Sequence, residues 1–262
     1  MGIQYQSGWL LRCAVAAAAA LAVTAAAAAD YPTKKAPPPA PAPVVVAPIT
    51  PGFFVKAGFL YGINQTSSKL YSQIPPGGGL QYGLPGVGAT LANVATLGVE
   101  VGYYVTPNLS IDVSAGVPMW ATDKTKGTPT TFPLPSGTPL AKVMPSFVPV
   151  TLLYHFNQFG AVQPYLGAGP AAVFSFQTQD GFDTNVTVEP TVGIVLQGGA
   201  DVMIDQHWGW GFDVKKLFAH AESHGTGENF ALLGLGPELP VASSQRTYFE
   251  PWVLSTGVTY RF

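Results

Sequence analysis

From Trp252 to Phe262 the chain alternates. Trp252, Leu254, Thr256, Val258, Tyr260 and Phe262 fall on one face of an extended strand, and Val253, Ser255, Gly257, Thr259 and Arg261 on the other, because successive strand side chains point to opposite sides. The first face is largely apolar with aromatics at both ends. The second is small or polar and bears a charge. A strand divided in this way suits a wall with lipid outside and a polar lumen inside. A soluble sandwich edge could imitate one such strand, but the chain offers eight.

The eight predicted strands are Phe53–Ile63, Val94–Val105, Leu109–Ala121, Met144–Phe156, Pro164–Gln177, Thr191–Ile204, Trp208–His220 and Phe249–Phe262, each bounded by Gly, Pro, Asn or Asp. Their connections alternate in length. Thr106–Asn108, Asn157–Gln163 and Asp205–His207 are short; Asn64–Asn93, Thr122–Val143, Thr178–Pro190 and Ala221–Tyr248 are long, rich in Gly and Pro, and unstructured by pattern. Short periplasmic turns and long extracellular loops are the habit of outer-membrane barrels. The expected fold is therefore all-β, an eight-stranded antiparallel transmembrane barrel with both ends of the chain at the short-turn side.

Composition agrees. Only 10% of residues are charged, against about a quarter in ordinary soluble domains. Hydrophobic residues make up 47%, yet past residue 29 no run approaches the roughly 20 apolar residues of a membrane helix. A net charge of −2 supplies no basic stripe for nucleic acid. Residues 1–29, with Arg12 ahead of an Ala-rich run and Ala27-Ala28-Ala29 before Asp30, read as a secretory signal peptide. Cys13 is the single cysteine and lies inside it, so disulfides and thiol chemistry are not expected of the mature chain. Residues 30–51 are Pro- and Ala-rich and read as a periplasmic spacer, extended polyproline reaching roughly 60 Å. Residues 52–262 would form the barrel.

Parity assigns the faces. Leu97, Val99, Val101 and Tyr103 share the lipid side of their strand, as do Ile111, Val113, Ala115 and Val117 on the next. The opposite parity collects Lys56, Glu100, Asp112, His155, Asp201, Asp213, Lys215 and Arg261. An isolated buried charge costs several kcal/mol, so these eight are expected to pair. They read either as a salt-bridge network that plugs the lumen or as a polar constriction that tunes passage. Lys216 breaks the parity, so a bulge or strand end is expected there. Inward apolar positions are Leu60, Tyr104, Phe147, Leu153, Val195 and Met203, read either as barrel filling or as contacts for an apolar solute. Aromatics would form two interfacial belts. One holds Phe53, Tyr103, Tyr154, Phe156, Tyr165, Trp208, Trp210, Tyr260 and Phe262 at the short-turn end; the other holds Phe59, Tyr61, Phe174, Phe176 and Trp252.

Other chemistry is weakly supported. His220-Ala221-Glu222-Ser223-His224 places two imidazoles and a carboxylate on one face, but no metal is assigned because the segment frays into a loop. Gly77-Gly78-Gly79 lacks the Gly-Lys-Ser/Thr ending of a phosphate loop. No catalytic residue and no cofactor is assigned, and an enzyme is not expected.

Across Phe53 to Phe262 the sequence resembles the OmpW family of eight-stranded outer-membrane barrels. The likeness rests on Phe53-Phe54-Val55-Lys56-Ala57-Gly58, Ala95-Thr96-Leu97-Gly98-Val99-Glu100-Val101-Gly102-Tyr103 and Thr106-Pro107-Asn108-Leu109. It continues through Pro164-Tyr165-Leu166-Gly167-Ala168-Gly169, Gly198-Gly199-Ala200-Asp201, Glu250-Pro251-Trp252 and Gly257-Val258-Thr259-Tyr260-Arg261-Phe262. The Pro-rich spacer is similar instead to a family of small alpha-proteobacterial porin-like barrels. The resemblance implies residence in the Gram-negative outer membrane with the amino terminus periplasmic, among lipid and lipopolysaccharide. It also implies a narrow channel for small, hydrophobic molecules, and assembly by the barrel machinery through Val258, Tyr260 and Phe262. The alternative is a closed structural or surface-interaction barrel, serving stress tolerance or reception without transport.

Overall fold

Eight antiparallel strands close on themselves in the computed structural model, which describes residues 49–74, 80–83, 88–127, 135–229, 238–239 and 242–262. The expected signal peptide, nearly all of the expected spacer and the triple glycine at 77–79 lie outside the described residues. The barrel strands, numbered β1 to β8, are Gly52–Ile63, Val94–Thr106, Leu109–Gly116, Pro139–His155, Val162–Asp180, Thr191–Met203, Trp208–Gly225 and Trp252–Arg261. Each pairs with its sequence neighbours, and β1 pairs with β8 from Phe54 opposite Arg261 to Ile63 opposite Trp252. That pairing closes the barrel, which lipid favours because it offers backbone groups no hydrogen bonds.

The faces follow parity. Leu97, Val192 and Ile194 point outward and are 54, 73 and 61% exposed, an apolar band for acyl chains. The fifth strand, where Gly167, Gly169 and Pro170 blur the alternation in sequence, resolves the same way: Gln163, Tyr165, Ala171 and Val173 are buried and Leu166 is exposed. Pairs of outward aromatics mark the short-turn end, Phe53 with Tyr103 at 4.9 Å and Trp208 with Tyr260 at 4.7 Å. Tyr165 departs from the expected belt. It is 1% exposed and faces the lumen, because its position is odd in a strand whose odd positions point inward.

Four expectations change. The third strand does not run unbroken to Ala121: β3 stops at Gly116, and a separate strand, Ala121–Lys126, begins beyond Pro118, which has no N–H for a ladder. The long loops are not structureless. Strand Thr66–Ile74 pairs with Ala242–Phe249, which pairs with the upper part of β7, so the wall rises well past the apolar band. The last strand accordingly divides at Glu250-Pro251. Lys216 causes neither bulge nor strand end; it stays in register opposite Trp252. Its ammonium lies over the Trp252 and Phe218 rings and donates to the Glu250 carbonyl at 2.6 Å, a cation snorkelling at the border of the band.

Close approach decides one glycine. A Cβ on Gly102 would strike the Phe54 ring, which lies flat against the β2 backbone. Gly102→Leu should therefore lower stability by about 1–3 kcal/mol, read from the urea midpoint of the lipid-folded barrel. The double variant Gly102→Leu/Phe54→Ala should lose less than the sum of its parts; strict additivity would mean that the two positions do not touch.

Candidate functional site

The lumen is built in three layers. At the short-turn end, rings cross the bore: Phe54 to Tyr104 at 4.9 Å, Tyr104 to His155 at 4.9 Å and His155 to Tyr165 at 5.3 Å. Arg261 lies over Tyr104 at 5.2 Å and Lys56 over Tyr165 at 4.2 Å, cation–π contacts strengthened by exclusion of water. Leu153 and Met203, at 0 and 2% exposure, fill the space between.

Above them sits a network with a side chain from every strand. Lys56 Nζ lies 3.3 Å from Glu100 and 3.2 Å from Asp201. Lys215 Nζ is 2.8 Å from Glu100 and 2.6 Å from Asp213. Arg261 faces Asp201 at 3.5 Å. Tyr165 donates to Asp213 at 3.0 Å, and Gln197 Nε2 donates to the same carboxylate at 2.8 Å. Thr151 lies 3.0 Å from Asp112 and 2.6 Å from the Gln197 carbonyl oxygen.

All eight charged or titratable positions read from parity are thus inside, at most 8% exposed. Two of them stand apart from the ion pairs. Asp112 is held by Thr151, and His155 Nε2 meets Ser110 Oγ at 2.9 Å. That Ser–His contact has the spacing of a nucleophile and base, but both residues are 0% exposed, and no carboxylate holds His155 Nδ1 among the described residues. Gln197, Thr151 and Ser110 are not singled out from sequence, although they share the inward parity of Asp201, His155 and Asp112 on their strands; Tyr165 has no inward charge on β5 to mark its face and reads from sequence as a belt aromatic.

The upper layer is apolar. Val195, Leu217, Phe249, Val173, Ala171 and Ala219 form one cluster, with Phe147 packed against it. Beside the cluster the wall is discontinuous. Pairing of β3 with β4 ends at Val113 opposite Val150 and resumes only at Ala121 opposite Val143. Between these points Ser114–Trp120 and Met144–Pro149 have no ladder to one another. Pro118, Pro145 and Pro149 lack the N–H that would make one. Each segment keeps its other neighbour, with Gly116 opposite Gly98 on β2 and Phe147 opposite Val173 on β5. A cavity of about 100 Å³ lies against this seam, lined from the lumen by Leu60, Phe147 and Val253 and from the seam by Ala115, Pro118 and Pro145. A second, also about 100 Å³, lies nearer the long loops; Pro145 and Phe249 wall both. Of the six inward apolar positions, then, Leu60 and Phe147 line a cavity, while Tyr104, Leu153, Val195 and Met203 are packed. A depression of about 880 Å³ lies mainly on the outer wall among Phe59, Leu97, Phe212 and Leu254; acyl chains occupy that face.

At the rim, His220, Glu222 and His224 share a face as their spacing requires, and Ser223 does not join them. His220 meets Tyr248 edge-on at 4.5 Å, and Glu222 pairs with Arg246 at 3.1 Å. His224 meets Glu189 at 3.4 Å, a partner from the segment just before β6 that sequence did not suggest. Glu189, Glu222 and His224 come within 4.8 Å of one another, but all three are exposed and Arg246 already engages Glu222.

Asp201→Ala would leave Lys56 and Arg261 without their shared carboxylate. Stability should fall by about 3–5 kcal/mol in urea unfolding of the lipid-folded barrel, with a rise in ion current across a planar bilayer. An unchanged midpoint would mean that the network does not hold the bore closed.

The sequence matches the OmpW family over residues 81–262. It is 33% identical over 181 residues to a Sinorhizobium fredii protein named uncharacterized outer-membrane protein y4mB, covering 69% of this chain and 71% of that one. It is 27% identical over 179 residues to outer membrane protein AlkL of Ectopseudomonas oleovorans, covering 68% and 71%. To the dibenzothiophene metabolism operon protein PahQ of Pseudomonas aeruginosa it is 25% identical over 179 residues, covering 68% and 77%. The crystal structure of outer membrane protein OprG from Pseudomonas aeruginosa superposes with a TM-score of 0.66 at 20% identity, covering 81% of this chain and 96% of that one.

Proposed function

The chain belongs to the OmpW family of the outer membrane, and from that premise we propose that it takes small apolar molecules in at its outer mouth and releases them sideways into the bilayer. The observation that supports this is the unpaired seam between β3 and β4 lying against a largely apolar cavity, with Lys215 in its lining, directly above a bore closed by charges. A solute descending from the long-loop end meets the Lys56–Glu100–Asp201 layer, where an apolar molecule gains nothing and the bound charges would lose their partners. Sideways, it meets Pro145, Phe147 and then acyl chains. Transfer from an aqueous mouth to hydrocarbon is downhill by about 0.8 kcal/mol per methylene, so no other energy source is needed. The name of PahQ ties that relative to metabolism of dibenzothiophene, an apolar solute of the required kind.

Phe249 and Pro145 separate the two cavities, and Phe249 is the side chain that must swing aside. The barrel does not act as an enzyme on this reading: its one Ser–His contact is sealed inside the plug. A second reading, a surface barrel without transport, draws on the same plug, since a closed bore is what such a protein would have. Residues 1–29 serve as the secretory leader, and Val258, Tyr260 and Phe262 present the assembly signal. The Phe262 N–H donates to the Phe53 carbonyl at 3.0 Å, so the signal residue also finishes barrel closure.

The two readings separate cleanly. The register that pairs 113 with 150 would place Ala115 opposite Val148, so Ala115→Cys/Val148→Cys staples the seam. Oxidised, this variant should lose at least tenfold in the rate of n-octane uptake into proteoliposomes, and reduction should restore it. Uptake unchanged by a formed disulfide would rule out the lateral exit, and no uptake by the wild type would favour the non-transporting barrel. Deleting Phe262 should cut assembled protein several-fold, read as the heat-modifiable band of the outer-membrane fraction.

A further inference from the structure

The cavity nearest the long loops has an unusual border. Leu91, Leu140, Val143, Val173, Val186 and Phe249 make it apolar, and four carboxylates, Asp123, Asp183, Glu189 and Glu222, complete it; no lysine or arginine lines it. Two of the four face a low-dielectric space. Asp123 is half-buried above the apolar band and accepts from Gln245 Nε2 at 3.2 Å. Asp183, also half-buried, lies directly across the ladder from Glu228. Burial pushes the Asp123 carboxyl up to about 6. Burial, then the charges of Glu228 and Asp123, push Asp183 up to about 7. Carboxylates in an apolar pocket without a cation are costly as charges. Two cations at its border are already engaged: Arg246 pairs with Glu222, and His224 meets exposed Glu189.

We propose that this cavity recognises amphiphilic organic cations, an ammonium head seated between Asp123 and Asp183 with an alkyl tail directed past Phe249. The head would supply the missing positive charge and up to three N–H donors. The tail would cross Pro145 and Phe249 into the cavity at the seam, since these residues wall both spaces. The inference rests on the lateral-uptake reading and names a preferred substrate class within it. It also gives the acidic lining of this cavity a purpose, because a cleft lined by one sign of charge raises the local concentration of its counter-ion.

The test is calorimetric titration of the barrel in nanodiscs of dimyristoylphosphatidylcholine, a lipid without net charge, with empty discs subtracted. The ligands are n-octylamine, n-octanol and n-octanoate at pH 7.5. Octylamine should bind at least tenfold more tightly than octanol, and octanoate weakest of the three. In Asp123→Asn/Asp183→Asn the preference for the amine should fall below twofold with octanol affinity unchanged. Equal affinities for octylamine and octanol in the wild type would overturn the proposal, as would a preference that survives in the folded double variant. The wild-type ligand series decides the matter by itself if the variant does not fold. Octanol binding without amine preference leaves the uptake reading standing; binding of none of the three removes both.

Discussion

Hydrocarbon offers a backbone no hydrogen bonds, so a strand in the membrane must find both neighbours or leave its N–H and C=O groups unpaired at several kcal/mol each. Around this barrel the rule is met by continuous ladders, including the β1–β8 closure. It is broken at one seam, between Ser114–Trp120 and Met144–Pro149. Prolines reduce the cost there, since Pro118, Pro145 and Pro149 have no donor to leave unsatisfied. The defect is thus written into composition, and it falls beside a cavity rather than against packed side chains.

The closed bore has its own logic. Three bases and three acids meet within 3.5 Å, and Tyr165 and Gln197 donate to Asp213 beside them. Such networks are poor sources of stability compared with apolar packing. What this one provides is a barrier that is hard to desolvate and hard to rearrange, because each member holds at least one other. The aromatic floor beneath it is apolar but filled. On the lateral-uptake proposal, the floor would stop ions and the charges would turn apolar solutes toward the wall.

Much of this was legible as parity. One face of period two gave the lipid side of each strand, and the other collected Lys56, Glu100, Asp112, His155, Asp201, Asp213, Lys215 and Arg261. What parity missed were neutral partners. Gln197 and Thr151 look like ordinary strand polar residues until the barrel closes and brings them to Asp213 and Asp112. Tyr165 was placed in the lipid belt because aromatics are expected there; the glycines and proline around it blurred the alternation that would have turned it inward. The break in β3 was misread for a related reason. A single Pro118 in an otherwise alternating run reads as an edge irregularity, and only the matching prolines on β4 make it a discontinuity. Strands such as Ala242–Phe249 hid inside Gly- and Pro-rich stretches because their partners, Thr66–Ile74 and the top of β7, lie far away in sequence. Lys216 was expected to disturb its strand, but a long side chain can leave the lipid without moving its backbone.

One pairing sets how far the wall can part. Asp112 and Thr151 sit opposite each other one rung below the last β3–β4 partners and are joined across the lumen face at 3.0 Å. Thr151 is tied on to Gln197, and so to β6. The seam therefore behaves like a zip with a stop at its lower end: the slit widens upward from a fixed vertex, and the largest clearance lies nearest the long loops. On the lateral-uptake proposal a slim chain would leave near the vertex and a wide ring higher up, so depth of exit would become a function of molecular cross-section.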